Sequence, residues 1–183
     1  MMLRLRASEQ DHCIAQLAAL AVVIHVLESA LPSPLPGVKP GLANVITLAV
    51  LFIYGLRAAV WVSLLRVLAG SLLAGTFLSP TFLLSLGGAA SSLLLMALLA
   101  RTGLLLAAPG PADWRLGPVG VAVLAAQAHM LGQFALAYTL FIPHPALLGL
   151  LPLLLGMALV FGLLSGYLGR HLLRELARPV PGK

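Results

Sequence analysis

An all-α fold, a polytopic integral membrane bundle of six transmembrane helices, is what the sequence predicts, and three observations predict it. Hydrophobic residues make up 61% of the 183-residue chain and charged residues only 9%, where a soluble domain carries roughly 25% charged residues. The apolar residues gather in runs close to the roughly 20 that span a bilayer. The basic residues flank those runs and form no stripe. A soluble enzyme, a fibrous protein and a disordered chain are excluded together. The net charge of +6 therefore speaks of orientation in a membrane and not of nucleic acid, because no basic patch is interleaved with aromatic residues.

The apolar runs place helices over residues 13–31, 41–54, 56–78, 81–100, 118–142 and 146–169. This divides the chain into a cytoplasmic N-terminal tail (1–12), a six-helix transmembrane domain (13–169) and a cytoplasmic basic C-terminal tail (170–183). The second run is short: it rises about 20 Å against a hydrocarbon core of roughly 30 Å. It must be tilted, re-entrant or joined by the segment before it, and each arrangement puts irregular backbone beside a protein-lined cavity. Arg4 and Arg6 ahead of the first run resemble the start of a secretory signal, but Glu9 and Asp11 interrupt the approach and no small-x-small cleavage pattern follows. A retained first helix is expected.

With both termini in the cytoplasm, Arg4, Arg6, Arg57, Arg101, Arg115, Arg170, Arg174, Arg178 and Lys183 lie inside, Lys39 alone lies outside, and Arg66 is in the membrane. That distribution obeys the positive-inside rule and supports both the count and the direction. The single Cys13 makes no intrachain disulfide and no metal cluster. Neither the tails nor the proline-rich connection at 107–118 is long enough for a soluble domain, so function must reside in the bundle.

Few polar side chains remain inside the runs. Glu28 is the one carboxylate among them, and an ionisable group at depth costs about 2.5 to 3.5 kcal/mol on insertion scales, so it is expected to face protein or water. His25 lies three residues earlier on the same helix face. Residues 31–44 read LPSPLPGVKPGLAN, whose prolines forbid regular helix. Lys39 stands between its two Pro-Gly turns, in an outer loop able to bend over the bundle. Asn44 follows in the first turn of the second helix, where the positive helix end favours an anion.

Arg66, about ten residues into the third run, is roughly 15 Å from the nearer end and cannot easily snorkel out. It needs a partner. Gly70, Ala74 and Gly75 follow it as a small-residue face for helix packing. Ser85, Gly87 and Gly88 open the fourth helix, and His129 and Gln133 share a face of the fifth, with Gln127 elsewhere on its circumference. Glu28, Lys39, Asn44, Arg66, Ser85, His129 and Gln133 are thus expected to build one polar cavity open to the outside.

Plainer roles exist for each. Glu28 with Arg66 or Lys39 can be a structural ion pair. His25 reads first as a packed histidine, and His129 with Gln133 can be hydrogen-bonding glue between helices. Gly132, Gly149, Gly156, Gly162 and Gly166 read as packing glycines. Trp61, Trp114 and Tyr167 read as interface anchors.

The chain resembles, over most of its length, the Gx transporter family, also labelled heptaprenyl diphosphate synthase component I. The stretches that carry the resemblance are Glu28 with LPSPLPGVKPGLAN, LLRVLAGSLLAG around Arg66, FLLSLGGAASSLLLM from Phe82, AQAHMLGQ around His129, and Leu151-Pro152. This chain departs from the family pattern at Pro40, where leucine is usual, and at Met130, where asparagine is usual. The family is similar to the S components of energy-coupling-factor (ECF) transporters. That similarity implies six helices in a bacterial cytoplasmic membrane, an outward-facing ligand pocket, and partner transmembrane and ATPase subunits docked on an Ala-x-x-x-Ala face of the first helix. Ala15 and Ala19 have that spacing.

The synthase label implies another role, as an accessory subunit of prenyl diphosphate synthesis or of quinone- or flavin-linked metabolism. Catalysis of prenyl transfer needs clustered carboxylates that hold magnesium against a diphosphate, whereas Asp11 and Asp113 are isolated, and no P-loop is present. The chain is therefore expected to be no enzyme on its own and to carry no cofactor. Substrate binding for uptake is the first expectation and the noncatalytic accessory role the alternative. A third is a proton- or sodium-coupled carrier in which Glu28 and His129 titrate.

Overall fold

A computed structural model of the protein describes residues 9–30, 42–105 and 116–176. They form six α-helices: α1 (Glu9–Ala30), α2 (Leu42–Tyr54), α3 (Leu56–Leu73), α4 (Pro80–Arg101), α5 (Pro118–Leu136) and α6 (Leu151–Leu176). An isolated bridge between Leu105 and Leu116 is the extent of β-pairing among the described residues. Every long helix is apolar enough to cross a membrane, and α2 is the short one.

The helix ends follow local chemistry more than the limits of the apolar runs. α1 includes residues 9–12 of the segment assigned as the N-terminal tail, and α6 includes residues 170–176 of the segment assigned as the C-terminal tail. α3 stops at Leu73, five residues short of the expected span. Gly75 (φ 67°) and Leu78 (φ 60°) turn the chain there, and Ser79 then caps α4, its hydroxyl accepting from the Phe82 amide at 3.4 Å ahead of Pro80. Gly75 is thus a turn residue with open space around it, and not part of a packing face. The expected fifth span, 118–142, runs unbroken to Phe141; after Leu136 its helix widens into a π turn at Ala137–Phe141, and Pro143 separates it from a 3-10 turn, Pro145–Leu150, that leads into α6.

A single residue, Gly55, joins α2 to α3. Its φ of 84° is open to glycine at little cost, and it folds the two helices into a tight hairpin. Residues 45–51 of α2 are all buried, as expected of a helix that is apolar all round. The neighbours that bury it are α1, α3, α5 and α6. Outside it, α1 packs on α3, α3 on α4, α4 on α5 and α5 on α6, so α2 fills the space between α1 and α6.

Glycines set the closest approaches. A Cβ at Gly162 would lie 2.9 Å from Val123 Cα, and one at Gly166 would lie 2.7 Å from Val119 Cα. The pair, four residues apart, brings α6 onto the backbone of α5. Gly149 and Gly156 face open space and have no such role. Replacing Gly166 by leucine is expected to cost about 1 to 3 kcal/mol through overpacking, while Gly156→Ala should change stability by less than about 0.5 kcal/mol. Unfolding by sodium dodecyl sulfate in mixed micelles measures both.

Candidate functional site

The hairpin geometry decides where the buried charge sits. Asn44 and Arg66 lie eleven residues to either side of Gly55, so the two antiparallel helices bring them to the same level. Arg66 Nη1 donates to Asn44 Oδ1 at 2.6 Å. Arg66 is 4% exposed and Glu28 5%, and the Glu28 carboxylate on α1 lies close enough to the guanidinium to interact with it electrostatically. Arg66 Nε is also buried and has no hydrogen-bond partner. A buried charged donor left in that state is costly, by about 1 to 3 kcal/mol or more.

This group lines a cavity of about 90 Å³. Its walls are His25 and Glu28 from α1, Asn44 and Leu48 from α2, Arg66 and Val67 from α3, and Ser85, Ser92 and Met96 from α4. Ala122, Ala125, Ala126, His129, Met130 and Gln133 come from α5, and Ala158, Phe161 and Ser165 from α6. Glu28, Asn44, Arg66, Ser85, His129 and Gln133, six of the seven residues expected to gather, therefore share one cavity. The seventh, Lys39, lies outside the described residues.

They do not form one tight cluster. Gly169 of α6 rests against Leu48 of α2, which places Ser165 beside Asn44, one turn back on each helix. Ala122 packs at the neighbouring Gly166, so Arg66, Asn44, Ser165 and Ala122 occupy one end. His129 and Gln133 lie seven and eleven residues beyond Ala122 along α5, about 10 and 16 Å at 1.5 Å per residue. They meet α4 at Gly88, where a Cβ would come within 2.6 Å of His129 Nε2 and 2.7 Å of Gln133 Cγ. The cavity thus has a charged end, an amide and imidazole end, and an alanine-, methionine- and phenylalanine-lined stretch between them.

Reading residue types along the chain missed Ser92 and Ser165, and it found nothing on α6. The available signal was a hydroxyl within an otherwise apolar span, which is weak because serine is also a common packing residue in membranes. His25 combines the two roles considered for it. Its ring packs at Gly70, where a Cβ would lie 2.5 Å from Cδ2, and it also lines the cavity. Gln127 is structural, its Nε2 donating to the Leu155 carbonyl of α6 at 3.1 Å.

Ala15 and Ala19 are exposed on α1 beside the buried Ala18. Trp61 and Tyr167 are exposed as well, and Trp114 lies outside the described residues. Among the described residues no group of three His, Cys, Asp or Glu side chains is placed to hold a metal ion.

The fold and the cavity together define a multi-pass helical membrane protein with a polar interior chamber. The chain belongs to the heptaprenyl diphosphate synthase component I family, whose pattern it matches over residues 17–172. No curated protein and no solved structure matches it.

The Arg66–Asn44 bond should be measurable as a coupling. A double-mutant cycle of Asn44→Ala and Arg66→Gln is expected to give about 1 to 2 kcal/mol, toward the upper part of the range for polar pairs in membrane bundles. Detergent-micelle unfolding of the four proteins supplies it.

Proposed function

We propose that the protein is the membrane-embedded substrate-binding subunit of an uptake system for a small molecule. In this reading it is S-component-like, sits in a bacterial cytoplasmic membrane with both termini inside, and is energised by a partner ATPase module. The observation that carries the reading is the shared cavity: helices α1 to α5 each contribute at least one of the scarce polar residues to it. Polar groups are too costly in a membrane interior to accumulate around one space without use. Arg66 would attract an anionic or polar group, Glu28 would orient a cationic group or hold the arginine, and Ser85, His129 and Gln133 would hydrogen-bond the ligand. Lys39 would act at the entrance. The exposed Ala15 and Ala19 would dock the coupling subunit.

A second reading has its own support, since the family description names a component of a synthase. The chain would then be a noncatalytic membrane accessory of prenyl diphosphate synthesis or of quinone- or flavin-linked metabolism.

Native mass spectrometry of the protein released from membranes tests the proposal. The wild type is expected to carry a small molecule that Arg66→Gln loses while still reaching the membrane folded. Equal retention by the variant overturns the assignment of Arg66. Copurification of an ATPase with its membrane coupling subunit supports uptake, whereas a copurifying soluble prenyl synthase supports the accessory role.

A further inference from the structure

The polar residues of the cavity are sorted along its length. Arg66 and Asn44 stand level with Ala122 of α5, and Gln133 stands about 16 Å farther along that helix. Ser85 of α4 belongs to the Gln133 end, because it lies within one turn of Gly88, where a Cβ would come 2.7 Å from Gln133 Cγ. Between the two ends the wall is apolar. Gly162 of α6 packs on Ala126, which puts the neighbouring Phe161 at the level of Ala126, and both line the same cavity as the two ends.

Each end asks for a hydrogen-bonding group. Arg66 is 4% exposed, its Nη1 is taken by Asn44, and its Nε has no hydrogen-bond partner among the described residues. An acceptor oxygen from a ligand would remove the cost of that buried donor. The first turn of α2, which holds Asn44, favours the same negative partial charge. At the far end the Gln133 amide offers both donors and an acceptor, and the Ser85 hydroxyl offers both roles. A molecule polar throughout would set its middle against Ala126 and Phe161 without partners. A molecule with one polar head would leave the other end of the cavity unmatched.

Building on the uptake reading, we infer that the cavity binds an elongated two-headed molecule, polar at both ends and apolar between them. One head places a carboxylate or carbonyl oxygen on Arg66 Nε, the other hydrogen-bonds with Gln133 and Ser85, and the carbon between them lies against Ala126 and Phe161. Glu28 keeps the interactions it already has within the protein.

Titration calorimetry on the full-length protein in lipid nanodiscs, with empty nanodiscs to subtract partition into lipid, tests this with monoamides of linear dicarboxylic acids, from succinamate through adipamate and suberamate to sebacamate. The one-headed controls are the alkanoate and the alkanamide of matching length, such as octanoate and octanamide for suberamate. Affinity is expected to peak within the series, and the best member to bind at least about tenfold more tightly than either matching control. Gln133→Leu should abolish the advantage over the alkanoate without weakening the alkanoate itself, and Arg66→Gln should weaken the whole series. The wild-type series decides alone where a variant fails to fold. Suberamide identifies the group on Arg66: binding equal to that of suberamate assigns a carbonyl, weaker binding assigns a carboxylate, and both agree with the inference. One-headed controls that bind as tightly as the two-headed molecules overturn it, and so does the absence of binding across the series. If the protein nevertheless copurifies with a one-headed molecule that Arg66→Gln loses, the uptake reading stands and this inference alone falls.

Discussion

A guanidinium among apolar helices has to be neutralised and hydrogen-bonded within the protein, and Arg66 imposes that demand on three helices at once. The α2–α3 hairpin, turned at Gly55, answers part of it by lifting Asn44 to the level of Arg66. The first helix answers another part with Glu28. It can approach because Gly70, one turn beyond Arg66, leaves room for the His25 ring. The requirement of one charge thereby sets the register of α1, α2 and α3 against one another.

The shortness of α2 has a second consequence. It packs beside the C-terminal half of α6 through Leu48 and Gly169, and its first turn stands at the level of Arg66, partway along the longer helices. The cavity extends from that turn between α4, α5 and α6, toward His129 and Gln133. Glycines keep those walls close enough to enclose it. Gly88 admits His129 and Gln133, and Gly162 and Gly166 seat α6 on the α5 backbone. A helix the length of its neighbours in the place of α2 would fill the space with apolar side chains. The polar residues would then have no common space to line.

Much of this was legible along the chain. The apolar runs located every helix, and the rarity of charge singled out Glu28 and Arg66 before any contact was known. Boundaries were less legible, because helix ends answer to turn geometry and capping: α1 and α6 reach beyond the apolar runs, and Gly75 with Leu78 ends α3 within one. Ser92 and Ser165 were invisible as cavity residues because serine alone does not distinguish packing from lining.

What the sequence determined by itself is the class of fold and the small set of side chains that cannot face lipid, since both follow from the cost of polarity in hydrocarbon. Which of those side chains meet was decided only in three dimensions. Arg66 reaches Asn44 across a hairpin and Ser165 comes from the far end of the chain, and such distances depend on helix length, turn geometry and glycine contacts summed over the whole bundle. The same holds for the separation of the charged end from His129 and Gln133, which is set by the rise of α5 and by no local pattern.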